Sequence, residues 1–395
     1  MKRPIKVLLF STLFPSTARP VHGIFVESRL RHLIETNQIE VRVVAPVPWF
    51  PSTSSFFGRW AQIAKTPSND FYHNFIVEYP RYPIIPKFGM SLVPFLIALF
   101  CLPTIIKIYK EYKFDLIDAH YYYPDGVAAA IISKVFRKPL VITARGTDIN
   151  LIPKYIIPRI LIKWAAKTTN VSIAVCQALA NQLKLLGVSS NSIYVLQNGV
   201  DLNLFHPINP EIAREKLGID SGRWLLSVGW LTERKGHDIA IRALVQLTDF
   251  KLVLIGEGEL FKYLYNLADE LGVSNRVKFI GSVSQNSLAY WYSAVDALVL
   301  CSSREGWANV LLESMACGTP VIATSIWGTP EIVRDPDVGR LMMDRTPESL
   351  VKCVHDLFDH YPQRSVVRKY AEHFSWVETT NGQLNIFRKI IKCES

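Results

Sequence analysis

Short apolar runs alternate with longer stretches of helical periodicity, and this alternation constrains the fold more than any other feature. Val7–Phe10, Leu116–His120 and Leu140–Thr143 are typical of buried strands, and helix-like stretches separate such runs. Strands separated by helices predict parallel sheets with right-handed crossovers. The rhythm breaks at Gln197–Asp201, where Asn-Gly signals a turn, and resumes from Leu225–Val228.

This break predicts two doubly wound α/β lobes in the 395-residue chain. We expect an N-terminal lobe over residues 1–198, a C-terminal lobe over residues 199–377, and a helix over 378–395 that packs back on the first lobe. Because ligands bind beyond the carboxyl ends of the strands in such sheets, the two lobes are expected to face a central cleft.

The composition excludes several classes of protein. Lys and Arg number 44 against 34 acidic residues, so the net charge is +10, which favours anionic partners. The charge is spread along the chain and no nucleic-acid-binding signature is found, so nucleic acid is not expected as a partner. Six cysteines without a CxxC pair indicate neither a zinc site nor a redox motif and fit a reducing cytoplasm.

Two apolar stretches bear on targeting. The run Val7–Phe10 is too short for the core of a signal peptide. The most apolar stretch, Ser91–Ile106, is interrupted by Pro94 and Pro103 and falls short of the roughly 18 apolar residues of a membrane span. A buried helix is predicted there, with a membrane-contacting helix as the alternative.

Two carboxylates stand eight positions apart after a predicted strand. Glu305 lies in the loop, and Glu313 lies about one turn into a helix that Asn309 is predicted to cap. Backbone N–H groups at the helix start offer an anion site, and carboxylates accept hydrogen bonds from sugar hydroxyls. This combination suits a nucleotide-sugar, although the spacing alone is equally that of an ordinary crossover with surface acids.

The sequence around these glutamates resembles the signature of family 4 retaining glycosyltransferases. The resemblance covers Glu305–Glu313 and Ser314–Thr324, continues in Gly328–Val333, and has an upstream counterpart in Asn198–Asp201. It runs from residue 5 to about residue 390. It implies the GT-B fold, which consists of two Rossmann-like lobes, and transfer of a sugar from a nucleotide-sugar to an acceptor.

The resemblance assigns roles to residues of the second lobe. Glu305 is expected to contact the hydroxyls of the donor sugar, and Glu313 the ribose. Gly256, after one strand, and Val283, after the next, are expected to line the nucleotide. The other residues assigned to donor binding are Arg234, Gly306, Asn309 and Val310 in this lobe, and Gly23 in the first.

The loop Val228–Gly236 carries two adjacent cations that can hold a diphosphate and neutralise charge on the leaving group. The family pattern has an Arg after the first Gly of this loop and a Lys before the second. Lys235 matches this pattern, but Trp230 occupies the Arg position. Arg234 either supplies the missing charge or points to solvent, and the sequence leaves both possibilities open.

In the first lobe, three loops at strand ends attract attention. Gly23 would let backbone approach the donor phosphates. A lone His is more often structural than functional, but the resemblance places His120 near the donor sugar, and we group it with Glu305 and Lys235 as catalytic. Arg145 and Asp148 resemble the acceptor-side loop, where they either orient the acceptor or pair with each other.

The expected activity is a retaining transfer from a UDP-sugar, or second a GDP-sugar, to a glycan or lipid-linked acceptor in surface polysaccharide biosynthesis. Front-face substitution is expected, with no cofactor and no metal, since no Asp-x-Asp motif stands out. The alternatives are a nucleotide-sugar epimerase or glycan phosphorylase on the same fold, or a non-catalytic subunit, for which the Trp230 departure is the support.

The basic, apolar stretch Ile149–Lys167 predicts peripheral contact with an anionic membrane, at the inner face of the plasma membrane. The alternative is a helix that simply packs on its own sheet.

Overall fold

The computed structural model describes residues 3–72, 75–84 and 89–392. The chain divides into two compact units. The N-terminal unit comprises the residues up to Gln197 together with those from Val377 onward, and the C-terminal unit comprises Asn198–Trp376.

The N-terminal unit is built from short strands and intervening helices. Its strands are β1 (Ile5–Phe10), β2 (Ile39–Val44), β3 (Val47–Pro48), β4 (Asn69–Tyr72), β5 (Phe75–Glu78), β6 (Arg81–Tyr82), β7 (Leu116–His120), β8 (Leu140–Ala144), β9 (Val171–Ala174) and β10 (Ile193–Val195). Its helices before the C-terminal unit are α1 (Ile24–Glu35), α2 (Arg59–Ala64), α3 (Gly89–Tyr112), α4 (Val127–Phe136), α5 (Thr147–Asn150), α6 (Ile156–Thr168) and α7 (Gln177–Leu185).

The main sheet of this unit has the order β10-β9-β8-β7-β1-β2-β5-β4, and all neighbouring strands are parallel except β4 and β5. The strand order reverses between β1 and β7, so the loops that follow Phe10 and His120 lie together at a topological switch point. Val7 of β1, Leu30 of α1 and Phe387 near the C-terminus belong to one buried cluster, which joins the returning end of the chain to the sheet.

The C-terminal unit repeats the alternation. Its strands are β11 (Arg223–Val228), β12 (Phe250–Ile255), β13 (Val277–Gly281), β14 (Ala297–Leu300), β15 (Val321–Thr324) and β16 (Gly339–Met342). The helices are α8 (Pro210–Leu217), α9 (His237–Ala243), α10 (Phe261–Glu270), α11 (Gln285–Ala294), α12 (Asn309–Ala316), α13 (Thr329–Ile332), α14 (Pro347–Asp359), α15 (Arg364–Ala371) and α16 (Trp376–Lys392), which belongs to the N-terminal unit from Val377 onward.

The sheet of the C-terminal unit is entirely parallel, with the order β13-β12-β11-β14-β15-β16. Numbered within the unit, this order is 3-2-1-4-5-6, the doubly wound arrangement of dinucleotide-binding folds. Apolar side chains such as Leu252 and Val299 fill its core. The strand order reverses between β11 and β14, and ligands bind at such a reversal because the loops diverge there. The predicted α/β class with two doubly wound lobes is confirmed.

Helix α3 corrects the prediction of a buried helix over Ser91–Ile106. It extends from Gly89 to Tyr112 and continues through both internal prolines. One face is buried through Ile97, Cys101 and Ile105, whereas the opposite face exposes large apolar side chains. A helix that is apolar on all sides over residues 89–106 cannot bury every face in a single layer on a sheet. Among the described residues it is the one helix long and apolar enough to cross a membrane, by length and composition.

Candidate active site

A charged cluster occupies the switch point of the C-terminal unit. Lys235 and Arg234 follow β11, and Glu305 follows β14, the two strands between which the order reverses. One carboxylate oxygen, Oε1 of Glu305, lies 2.7 Å from Nζ of Lys235 and 3.1 Å from Nη1 of Arg234. The hydroxyl of Ser302 donates to the same oxygen at 2.7 Å. The topology of the sheet therefore brings together two loops whose residues Lys235 and Glu305 are 70 positions apart in sequence.

The two cations determine the charge state of Glu305. This residue is 9% exposed, and burial alone raises the pKa of its carboxyl. Lys235 and Arg234 outweigh that effect and hold the pKa below its ordinary value. Glu305 is therefore an ionised acceptor at neutral pH, and the cluster keeps one net positive charge.

The position of Arg234 decides between the two alternatives for its side chain. Its guanidinium donates to Glu305 and to the carbonyl of Arg304, at 2.9 Å for the latter, so it lies beside Lys235 rather than in solvent. Trp230, at the family's Arg position, is 57% exposed. A second cation thus lies next to Lys235 although the family position lacks one.

Glu313 has a different environment from Glu305. It lies on α12, where the phenol of Tyr292 donates to its Oε2 at 2.8 Å. Burial raises the pKa of Glu313 to about 7, and the hydrogen bond from Tyr292 offsets only part of this effect. One glutamate of the pair is therefore held ionised, and the other is poised between its neutral and charged forms.

The prediction that Asn309 caps α12 is wrong. Asn309 is the first helical residue, Ala308 occupies the cap position, and no side-chain cap bond forms. The Oδ1 atom of Asn309 instead accepts from Nδ2 of Asn198 at 3.3 Å. The indole of Trp307 donates to the carbonyl of Asn198 at 3.0 Å. Gly306 and Val310 flank this connection, which ties the loop after β14 to Asn198, the first residue of the unit.

Glycines line the carboxyl edge of the sheet beside the cluster. Gly256 follows β12 with a φ of 143°, and a Cβ atom there would lie 1.9 Å from the carbonyl oxygen of Gly229. The N–H of Gly256 donates to the carbonyl of Gly281 at 2.9 Å. Only glycine permits these strand-end loops to pack this closely. Val283 follows β13 at the same edge, so the predicted nucleotide-side residues share one edge with Lys235 and Glu305.

In the N-terminal unit, His120 ends β7 and is 1% exposed. Its Nδ1 accepts from Nη2 of Arg145 at 2.6 Å, and its Nε2 lies 3.3 Å from Oδ2 of Asp118. Burial lowers the pKa of His120 to about 4. The ring is therefore neutral, with its proton on Nε2, directed at the aspartate.

Asp148 and Arg145 are joined through the main chain. The carboxylate of Asp148 accepts from the backbone N–H of Tyr122 at 2.7 Å, of Gly146 at 2.7 Å and of Arg145 at 3.1 Å. It holds the loop after β8 against the turn after β7. The guanidinium of Arg145 is then directed toward His120, so these predicted residues form one buried group.

Sequence reasoning missed several residues of this group. Asp118 lies two positions before His120 and so shares its strand face, a signal the sequence does contain. Gln383 lies on α16 and donates to Asp118 at 2.8 Å, while its Oε1 accepts from Nε of Arg29 at 2.5 Å. No local pattern marks Gln383 or Arg29, because their partners are distant in sequence.

Gly23 precedes α1 with a φ of 70°. A Cβ atom there would lie 2.3 Å from the backbone carbon of Leu13, so close packing within the loop after β1 already requires glycine. The predicted contact between Gly23 and donor phosphates stays a prediction. Within residues 3–72, 75–84 and 89–392, no group of three or more His, Cys, Asp or Glu side chains is arranged to hold a metal ion.

Two family models match the chain. The model described as Glycosyltransferase Family 4 matches residues 22–204, and the model described as Glycosyl transferases group 1 matches residues 209–374. Together they span most of the chain: the first lies mainly in the N-terminal unit and the second lies within the C-terminal unit.

Curated relatives agree with the family models. An uncharacterized glycosyltransferase of Methanocaldococcus jannaschii is 29% identical over 280 residues, which are 70% of this chain and 76% of that protein. A D-inositol 3-phosphate glycosyltransferase of Mycobacterium leprae is 33% identical over 216 residues, which are 50% of this chain and 49% of that protein. The match to the mycobacterial relative therefore covers only about half of each protein.

Solved structures show the same fold. Sucrose-phosphate synthase from Thermosynechococcus elongatus superposes with a TM-score of 0.82 at 18% identity, covering 99% of this chain and 100% of that one. HepE of Anabaena in complex with UDP-glucose superposes with a TM-score of 0.71 at 20% identity, covering 97% and 99%. Both the sequence matches and the fold thus lead to one assignment: the chain is an enzyme of glycosyltransferase family 4 with the GT-B fold.

Proposed function

We propose that this glycosyltransferase transfers a sugar, with retention of configuration, from a nucleotide-sugar bound at the switch point of the C-terminal unit. The observation that carries the proposal is the Lys235–Arg234–Glu305 cluster beyond β11 and β14. Its net positive charge suits a diphosphate, and its ionised carboxylate suits sugar hydroxyls. UDP is the preferred carrier and GDP the second, and the HepE structures that contain UDP and UDP-glucose support this order.

The cluster can stabilise a departing nucleoside diphosphate. Negative charge grows on the leaving oxygen as the glycosidic bond breaks, and the ammonium of Lys235 with the guanidinium of Arg234 can neutralise it. Because Glu305 already orients both cations, little reorganisation is needed when the donor binds. Glu305 is then positioned to accept hydrogen bonds from the donor sugar, and Glu313 from the ribose.

We propose front-face substitution as the chemical course. The acceptor oxygen bonds to the anomeric carbon on the face that the diphosphate leaves, and the acceptor proton passes to a phosphate oxygen. No metal is part of this scheme, and we expect EDTA to leave turnover unchanged. Cation stabilisation of the leaving group takes the place of a Lewis acid.

The group around His120 is proposed to serve the acceptor side and the donor sugar. Both ring nitrogens are engaged, so a direct contact between the ring and a sugar requires one of these hydrogen bonds to open. Arg145 and Asp148 are proposed to orient the acceptor. We propose a glycan or lipid-linked acceptor, in surface polysaccharide assembly at the inner face of the plasma membrane.

A donor screen tests the proposal. Purified protein is incubated with UDP- and GDP-sugars, with and without a membrane lipid extract, and release of nucleoside diphosphate is measured. Release that requires one donor and the extract is expected, and Glu305→Gln should reduce it by at least about 100-fold. Glu270→Gln, which alters an exposed glutamate at the end of α10, is the matched control and should retain activity. Full transfer by the Glu305→Gln variant would contradict the assignment.

A further inference from the structure

The outer surface of helices α3, α4 and α6 combines exposed apolar side chains with a concentration of positive charge. The three helices pack on one another along one side of the sheet in the N-terminal unit. We call this surface the α3–α4–α6 face. Apolar exposure and basic charge together on one surface require an explanation, because a solvated surface gains nothing from large apolar side chains.

Helix α3 supplies the apolar part. Leu92, Phe95, Leu99 and Ile106 are 42%, 46%, 63% and 40% exposed and follow a helical spacing that places them in one stripe. Helix α6 adds Ile156 to this apolar surface; Ile156 lies in the first turn of α6 and is 66% exposed. Its next outward apolar side chains are Ile157 and Ile160.

Positive charge surrounds these side chains. Residues 89–112, 127–138 and 151–168 contain one acidic residue, Glu111. Their basic residues are Lys107, Lys110, Lys134, Arg137, Lys138, Lys154, Arg159, Lys163 and Lys167. Nine cations against one anion give these segments a net charge of +8, most of the chain's +10.

The basic residues also form a hollow. Lys134, Arg137, Lys138 and Lys167 line a depression of about 760 Å³ at the C-terminal ends of α4 and α6, with Ser133, Thr168 and Asn170. None of the described residues that line it is acidic. Its size and polarity fit a phosphate-bearing headgroup, and the apolar stripe lies on the adjoining helices.

We propose that the α3–α4–α6 face docks on an anionic lipid bilayer, with the apolar stripe entering the headgroup region and the basic side chains contacting lipid phosphates. Charge complementarity selects this occupant, because a purely apolar partner would leave the net charge of +8 on these segments without counter-charges. The inference rests on the proposed function only in taking the acceptor to be lipid-linked.

The docking face is joined to the predicted acceptor-side residues. The phenol of Tyr123, in the turn after β7, donates to the carbonyl of Met90 at the start of α3. Helix α6 packs against the same turn, which follows His120. The apolar ends of α3 and α6 therefore lie at the edge of the sheet that holds His120 and Arg145, where an acceptor carried by lipid would arrive.

Vesicle co-sedimentation of the full chain tests the docking face. The vesicles contain phosphatidylcholine alone or with about one-third phosphatidylglycerol, at about 0.05 M and about 0.5 M salt. Binding is expected only to the anionic vesicles and only at low salt. Lys163→Gln with Lys167→Gln should weaken it about 25-fold, since each cation at an anionic surface contributes about five-fold. Phe95→Ser with Leu99→Ser should weaken it about tenfold or more.

The matched control is Lys262→Gln with Lys352→Gln, which removes two exposed cations from the C-terminal unit and should bind like the unaltered protein. Equal binding by the α6 variant and this control, no binding by the unaltered protein, or binding that resists high salt would overturn the proposal. Donor turnover with a water-soluble acceptor, measured on the same variants, should be unchanged. If the unaltered protein showed no turnover with any donor and acceptor, that result would instead contradict the proposed function.

Discussion

Replacing Lys235 by methionine should destabilise the C-terminal unit and abolish most donor turnover. The side chains of Lys235 and Glu305 are 11% and 10% exposed, so the substitution leaves a largely buried carboxylate without its nearest counter-charge. Breaking a buried pair in this way costs about 3–5 kcal/mol. Arg234 and Ser302 remain on the same oxygen, so we expect the lower end, about 3 kcal/mol.

Comparison with Arg234→Met and Glu305→Gln isolates the interaction between Lys235 and Glu305. Arg234 is 31% exposed, and its loss should cost about 1 kcal/mol or less. The double variant Lys235→Met/Glu305→Gln should be more stable than Lys235→Met alone, because no buried charge is left unpaired. Urea denaturation gives the free energies of unfolding, and nucleoside diphosphate release gives the rates. We expect a loss of about 100-fold or more in turnover for Lys235→Met. Surface substitutions usually change the free energy of unfolding by no more than about 0.5 kcal/mol. A change that small for Lys235→Met, together with full turnover, would refute this reasoning.

Three further perturbations test separate features. Burial raises the pKa of Glu313 to about 7, so the stability that its neutral form contributes is complete below about pH 4.5 and is lost as the pH rises through 7, by up to about 3 kcal/mol. Urea denaturation across this range should show a flatter dependence of stability on pH for Glu313→Gln. The difference between the two proteins isolates Glu313 from Asp125, whose pKa burial also raises to about 7. Gly256→Ala should lower the free energy of unfolding by about 3 kcal/mol or more, because the added Cβ would overlap the carbonyl of Gly229. Gly187 has a φ of 92° and no atom within 4 Å of an added Cβ, so Gly187→Ala should cost only about 1 kcal/mol. Equal costs for the two variants would contradict this packing argument. Gln383→Leu leaves two buried charged groups without their shared partner and should cost about 2–4 kcal/mol in thermal unfolding, while a neutral result would show that the buried group does not depend on α16.

The parts of the fold that the sequence predicted are those with a local signal. A helix containing Glu313 and a C-terminal helix over residues 378–395 were predicted, and α12 and α16 (Trp376–Lys392) lie at these places, because regular spacing of apolar residues marks both. Residues 393–395 lie outside the described residues. The short strands β3 to β6 were not predicted, since two to four residues with mixed polarity carry no clear periodicity. The exposure of one side of α3 was also missed, because an apolar stretch does not show which of its faces will meet a sheet.

Some residues of the candidate site were likewise predicted from local sequence signals, and others were not. Glu305 and Lys235 were identified through motifs, and the strand order then explains why they meet. The position of Arg234 could not be derived, because a loop cation has no periodicity to indicate its direction. The capping role predicted for Asn309 was wrong because its side chain bonds to Asn198, a tertiary contact that competes with local capping. Gln383 contacts Asp118 across 265 positions, a distance at which local sequence gives no information.

The stereochemistry of the transferred sugar distinguishes a retaining transferase from the alternative enzymes on this fold. The protein is incubated with the α-linked nucleotide-sugar and the acceptor found in the donor screen, and the anomeric proton of the product is followed by NMR. Our account predicts a new glycosidic bond to the acceptor with the α configuration retained, formed in step with nucleoside diphosphate. A β-linked product, an epimerised donor, or sugar released only to water would contradict it.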